Sequence, residues 1–532
     1  MNRTTRALSA TAALLLTVAV GCTDTSVEPQ STITEANIFS DPASYTQFVA
    51  KLYAGLAVTG QIGPHGSADI TSNDEGFYNY VRNLWVLNEL PTDEAILGWG
   101  DNGIQPLNRA DLDPQNPFIT AMYYRIFYQV ALTNEFLRQT TDAKLTERGH
   151  NDPTLRATVA QYRAEARFLR ALSYWHGLDM FGPVPLIDET FPVGATPPPQ
   201  GTRQAIYDFI VAELTDINGD LPAPGAATYG RATNPAAQML LGKVYLNAGV
   251  YTGTTRYTEA MTAIQAVIAG PYTLAAVWRN NFRADNNTSP EIIFPVTSDG
   301  LRTQTWGGTT FLIHAECGGA LDNAAFRAAY GIDFCWWGLR MKPEAYNRYD
   351  VTAPADTSRT NWFGTTGQTV GIADPGNFNH GIAAPKYMNS TSTGAAGSHS
   401  THPDTDYPMF RLADAYLMYA EAQLRGGGGT LTQSETYVNA LRARAYGSAA
   451  GNVPAGTLSL DSVLAERGRE LLWEGHRRTD LVRFGRFSGA TYLWAWKGGV
   501  VGGAAIPATR DVYPFPSSEL VANPNLTQNP GY

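Results

Sequence analysis

The sequence predicts a mainly α-helical protein, built of tetratricopeptide-like helix pairs that carry a loop-rich variable subdomain with short β pieces. Three observations carry this. Apolar residues at helical spacing come in adjacent runs, each closed by Gly or Pro. One pair places Leu241, Gly242 and Tyr245 at the L-G-x-x-Y offsets of a tetratricopeptide repeat, with Pro271 near its closing proline. Between residues 275 and 410 the helical periodicity gives way to a stretch rich in Gly, Asn, Thr and Trp.

In chain order, residues 1–21 read as a signal peptide. Arg3 and Arg6 precede an uncharged, mostly apolar stretch at 7–20. At about 14 residues it is too short to span a bilayer comfortably. Ala19, Val20 and Gly21 then lead into Cys22, a pattern resembling a bacterial lipobox, in which Cys22 is lipidated and becomes the mature N-terminus. The plainer alternative is a secretory signal with an incidental Cys. Residues 22–40 are polar and poor in core residues, as expected of a tether. No later stretch is apolar for long enough to cross a membrane, so the expected attachment is an anchor and not a span.

A helical region follows over 41–274. Helices are expected at 42–57 and 203–217, and a pair is expected within 118–181. The second member of that pair carries Ala164, Phe168, Leu172, Trp175 and Leu178 on one stripe. The repeat-like pair covers about 234–270, with Asn234 as N-cap and Pro235 at the first helical position. The third region, 275–410, is irregular, with a β-like piece at 291–296. Long irregular insertions on a helical scaffold are often where binding resides. The last region, 411–532, opens with a buried helix at 412–424, broken by four glycines at 426–429. Thr432 and Glu435 read as a capping box for the helix that follows. A further helix is expected at 461–475, capped by Asp461.

Composition excludes some functions. The chain has 38 Lys plus Arg against 48 Asp plus Glu, a net charge of −10, so it lacks the basic face that nucleic acid requires. Hydrophobic residues make up 44%, enough for a large core. In an oxidising compartment Cys317 and Cys335, the two cysteines besides Cys22, suggest a disulfide; two buried thiols are the alternative.

Glu466, Glu470 and Glu474 lie four apart beside several arginines. Carboxylates on one helix face do not flank a common bond, so the run reads as a charge network between helices, with Arg477 and Asp480 as a candidate pair. His399 and His402, near Asp404 and Asp406, lack a recognisable metal-ligand spacing and read as a solvated loop. His176 reads as a satisfied core or interface group. No G-x-S-x-G or phosphate loop occurs. No cofactor, metal or catalytic residue is expected.

A sugar ring has an apolar C–H face and a hydroxyl rim, so an indole or phenol platform beside Asn, Asp or Arg suits it. Two loop clusters have this mixture. One holds Tyr78, Tyr80, Trp99, Asp101 and Asn102. The other holds Trp306, Trp336, Trp337 and Arg340. Trp85 and Trp175, with apolar neighbours, read as core.

Five collinear segments carry a resemblance. They are RAEARFLRALSYWHGLDMFGPVPLIDE at 163–189, TDE at 92–94, RLADAYLMYAEAQLRGG at 411–427, ERGRELLWEGHRRTDLVRFGRF at 466–487 and PFPSSELVANPNLTQNPGY at 514–532. Together they bracket nearly the whole mature chain and resemble the SusD/RagB family of outer-membrane lipoproteins; region 275–410 carries no matching signature. The resemblance implies tetratricopeptide-like helix pairs supporting a variable subdomain. It implies a non-enzymatic protein at the cell surface that lies over a SusC-type TonB-dependent transporter, captures an oligosaccharide and delivers it to the pore. It also implies that the loop after the TDE motif often supplies a ligand-stacking aromatic, here Trp99. Oligopeptide capture, or a repeat scaffold without a small ligand, are the alternatives.

Overall fold

The computed structural model describes residues 38–65, 68–70, 75–194, 197–352 and 354–532. The expected signal peptide, Cys22 and the expected tether up to residue 37 lie outside the described residues. Two units are distinguished, residues 1–45 and 46–532. Within the first, Ser44 donates to the Ile38 carbonyl and Phe39 stacks on Tyr45 at 5.6 Å.

Helices dominate the described residues, and the strands form two small antiparallel pairs. The principal helices begin with α1 (Ala43–Ala57), α2 (Tyr80–Glu89) and α3 (Ile104–Asn108). There follow α4 (Pro117–Gln139), α5 (Pro153–Phe181) and α6 (Arg203–Asp216), then α7 (Asn234–Leu246) and α8 (Tyr257–Ile268). The variable region contributes α9 (Gly308–Glu316). The chain then forms α10 (Leu412–Leu424), α11 (Leu431–Tyr446), α12 (Leu460–Glu470) and α13 (Arg477–Arg483).

Local chemistry sets the helix starts. Asn116 and Asp152 accept from backbone N–H groups of the first turns of α4 and α5, and each is followed by Pro, whose missing N–H has no role there. α7 starts at Asn234 with Thr233 as its N-cap, one residue before the expected cap. Thr430, not Thr432, caps α11, and Ser459, not Asp461, caps α12; in each the capping hydroxyl accepts from the N–H three residues on. The pairs α4–α5, α7–α8 and α10–α11 pack as hairpins, and α8 also packs on α10, so the apolar faces cover one another. Gly242 explains the repeat signature. A Cβ there would lie 3.0 Å from Ile264 Cγ1 on α8 and 3.1 Å from Met418 Cε on α10, so Gly lets both helices approach without a shift of those side chains.

Strand β1 (Ala95–Leu97) pairs with β3 (Leu339–Met341), Ala95 opposite Met341 and Leu97 opposite Leu339. Strand β2 (Ile292–Val296) pairs with β4 (Tyr407–Arg411), with register shifts around Phe294. The β1–β3 pair ties the variable region back to a segment outside it, whereas β2–β4 joins the beginning of that region to its end. Trp85 and Trp473 are fully buried in a T-shaped contact at 6.1 Å, and Trp175 is also buried. No helix among the described residues is long and apolar enough to cross a membrane.

The charged run is structural. Arg411 donates to Glu474 (2.6 Å), Glu291 (2.7 Å) and Glu470 (2.8 Å), and all four residues are buried. Arg359 reaches Glu466 and Glu470, and Lys386 reaches Glu474. The candidate pair Arg477–Asp480 does not form. Arg477 grips Asp93 of the TDE motif with two 2.7 Å bonds, and Asp480 takes Arg467 and Arg483 at 2.7 and 2.8 Å. Burial alone would raise the Glu291 pKa, but Arg444 and Arg411 outweigh it and hold the carboxyl at about 2. Its stabilisation is therefore full above about pH 4.3, where the unfolded carboxyl is ionised, and fades as pH falls toward 2.

Candidate functional site

The β1–β3 ladder assembles the site. Beyond Leu97 the pairing continues as Gly98 N–H donates to the Gly338 carbonyl at 2.9 Å. This places Trp99 beside Trp336 and Trp337, although the two segments lie far apart in sequence. The Trp99 indole N–H donates to the Trp337 carbonyl at 2.8 Å. Trp337 has φ 64°, in the left-handed region, and Gly338 follows with φ 102°. A Cβ at Gly338 would meet Trp99 Nε1 at 2.5 Å, so Gly is what lets the indole lie against this backbone.

The 336–337 segment is held from below by α9. Trp336 N–H donates to the His314 carbonyl at 2.7 Å, and Trp337 N–H donates to the Cys317 carbonyl at 3.0 Å. Cys317 and Cys335 are joined by a disulfide, with Cα atoms 5.1 Å apart. α9 is in turn tied to α2 by Asn79, whose Oδ1 accepts from Arg82 N–H (3.0 Å) and from Gly308 N–H (2.9 Å).

Three half-buried indoles then form a chain. Trp99 and Trp336 have centroids 6.0 Å apart at 69°, and Trp336 and Trp306 are 6.0 Å apart at 47°. Phe311 meets Trp99 edge-on at 5.8 Å at one end, and His402 lies 4.9 Å from Trp306 at the other. Trp306 N–H is fixed by Glu75 Oε2 at 2.7 Å. Asp101 and Asn102 are exposed beside Trp99. The result is an aromatic shelf of three partly exposed tryptophans, with exposed Asp101 and Asn102 next to Trp99 in the chain. Such a shelf offers apolar faces that tilt from one ring to the next, next to acceptors and donors for hydroxyl groups.

Not every residue expected at the site belongs to this shelf. Arg340 is buried at 2% exposure. It donates to the carbonyls of His380 (2.8 Å), Pro375 (2.8 Å), Asn377 (3.0 Å) and Gly338, so it pins the 375–380 loop to β3 instead of facing a ligand. The Trp337 ring lies 6.1 Å from Phe378 and against Gly318; its carbonyl, not its ring, serves the shelf. Tyr78 is half-buried against Phe77 at 6.1 Å, and Tyr80 is fully buried with its hydroxyl 2.8 Å from His176 Nδ1. His402 and Asp406, expected on a solvated loop, are 4% and 2% exposed: His402 packs against Trp306 at the end of the shelf, and Asp406 is enclosed where it accepts from the Ser298 N–H (2.8 Å) and the Tyr229 hydroxyl (2.7 Å). Among the described residues no three potential ligands gather to hold a metal ion.

Three residues were not anticipated. Phe311 supports Trp99, Arg82 lies with its guanidinium 4.9 Å over the Phe311 ring, and His314 packs beneath Trp336 at 5.2 Å. Each sits in a helix whose pattern reads only as buried, and no local spacing sets it apart. The carboxylates of Glu466, Glu470 and Glu474 are buried in ion pairs and cannot reach a substrate on the shelf.

The family model described as the SusD family matches residues 310–532. A relative from Bacteroides thetaiotaomicron, the starch-binding protein SusD, is 35% identical over 91% of this chain and 91% of its own length. The SusD-like protein P2 of Formosa agariphila is 24% identical over 98% of both chains. The fold is shared with the surface glycan-binding protein A of Bacteroides thetaiotaomicron, solved with laminarihexaose, at a TM-score of 0.68 and 20% identity, covering 92% of this chain and 99% of that one. The helix pairs, the collinear segments from the TDE motif to the C-terminal Tyr532, and a 35% identity that runs through nearly all of both chains lead to one conclusion: the chain belongs to the SusD/RagB family.

Proposed function

We propose that this protein is a lipid-anchored cell-surface glycan-binding protein that captures oligosaccharide on the Trp99–Trp336–Trp306 shelf and passes it, unaltered, to a SusC-type TonB-dependent outer-membrane transporter. The observation that carries the reading is the chain of three half-buried indoles at 6.0 Å spacing beside exposed Asp101 and Asn102. The starch-binding name of the relative at 35% identity makes an α-glucan the first ligand to try. The tilt between successive rings suits a curved chain better than a flat one. Outer-membrane anchoring rests on Cys22 after a short apolar stretch, and the transporter partner rests on family membership.

Binding without turnover is the expected behaviour. Titration calorimetry with maltoheptaose should give saturable heat, and prolonged incubation should release no reducing sugar. Absence of heat with both maltoheptaose and laminarihexaose would overturn glycan capture, and reducing sugar formed in step with protein concentration would overturn the non-enzymatic reading.

A further inference from the structure

His314 is fully buried at the centre of the shelf, and both of its ring nitrogens face backbone carbonyl oxygens. Nδ1 lies 2.8 Å from Phe334 O, and Nε2 lies 2.8 Å from Thr401 O. A neutral imidazole carries one N–H and one lone pair, so in that form one nitrogen would point its lone pair at a carbonyl oxygen. Only the imidazolium donates to both. The ring is also stacked on Phe334 (4.4 Å, 15°) and lies 5.2 Å from Trp336, and these π faces favour a cation. The two carbonyls belong to different segments. Phe334 precedes Trp336, and Thr401 precedes His402, which packs on Trp306.

We infer that His314 is a positioning residue for the shelf: in its imidazolium form it ties the segment bearing Trp336 to the loop that backs Trp306, and ligand capture weakens when it loses a proton. This rests on the glycan-binding reading above. Burial pulls its pKa below the usual histidine value, opposed by the carbonyls of Thr401 and Phe334 and by Asp333, so the doubly bonded form gains population as pH falls. The other charged or titratable groups around it have partners of their own. Asp333 accepts from Ser400 and Thr401 hydroxyls at 3.0 Å each. His402 Nδ1 is 3.3 Å from the Thr305 carbonyl, His399 lies 5.3 Å from His402, and Asp404 takes Ser398 and Gly300. On the same helix Glu316 accepts from Tyr387 N–H, and on α2 Arg82 lies over Phe311.

The test has a ligand-free arm and a ligand arm. With the histidines 15N-labelled in the full-length protein, the His314 resonances, assigned by their loss in His314→Gln, should show one nitrogen deprotonated near pH 8 and a growing share of the doubly protonated ring as pH is lowered. A single neutral tautomer throughout overturns the inference. Calorimetry with maltoheptaose should give affinity roughly threefold or more tighter near pH 5 than near pH 8 for the wild type, and a flat profile for His314→Gln. Equal pH dependence in both proteins, or a flat wild type, also overturns it. If the variant fails to fold, the wild-type profile is read against His314→Asn and the nitrogen shifts are assigned by that variant. If the wild type binds no glycan at any pH, the glycan reading fails and the nitrogen resonances alone decide for His314.

Discussion

Replacing Arg411 by methionine is expected to lower stability by about 3–5 kcal/mol, the cost of leaving buried charge without its partner. The Arg411 guanidinium is 1% exposed and is shared by Glu291, Glu470 and Glu474. Without it, Arg444 still reaches Glu291 and Glu470, at 2.5 and 2.6 Å, and Lys386 still reaches Glu474 at 2.5 Å. One positive charge is then missing among carboxylates that water does not reach. The least costly relief is protonation of one of them, so the deficit should shrink as pH is lowered and one of the unpaired carboxylates takes up a proton. Arg486 provides the contrast. Its 2.9 Å pair with Asp461 is exposed, 77% on the aspartate side, and Arg486→Met should change stability by less than about 1 kcal/mol. Thermal and urea unfolding of both variants across pH check this. Equal, small effects from the two substitutions would mean that the buried network does not hold the helices together.

Trp99→Ala is expected to weaken oligosaccharide binding by about 1–3 kcal/mol, on the order of 5- to 150-fold in Kd, while leaving the fold intact. The indole is half-buried, so its loss opens no large cavity, whereas its edge-on contacts to Phe311 and Trp336 make it the end of the shelf nearest Asp101 and Asn102. The readout is calorimetric affinity together with the thermal midpoint. An unchanged affinity removes Trp99 from the site. A collapse of both quantities makes it a core residue.

Most of the scaffold was legible in the sequence because its signals are local. Prolines at helix starts, glycine stops and the L-G-x-x-Y offset need only a few neighbouring residues to be read, and most helix ends agree with them; the helix expected at 461–475 instead ends at Glu470, and Trp473 beyond it turns left-handed with φ 61°. Caps slipped by one or two residues because several hydroxyl or carboxyl side chains compete near each start, as Thr430 and Thr432 do. The aromatic residues were visible as a class, but their assembly was not. It depends on a strand pairing between Ala95–Leu97 and Leu339–Met341, which no local pattern encodes. For the same reason Arg340 looked like a ligand contact. An arginine among tryptophans reads alike whether its donors face a sugar or four backbone carbonyls. Arg477 and Asp480 were matched by their spacing, yet the true partner of Arg477 is Asp93, hundreds of residues away in the chain.

A crystal structure of the protein with maltoheptaose tests the central claim most directly. The sugar rings should lie against the faces of Trp99, Trp336 and Trp306, with hydroxyls in hydrogen-bond reach of Asp101 or Asn102. An oligosaccharide ordered elsewhere on the surface, with the three indoles bare, would contradict it.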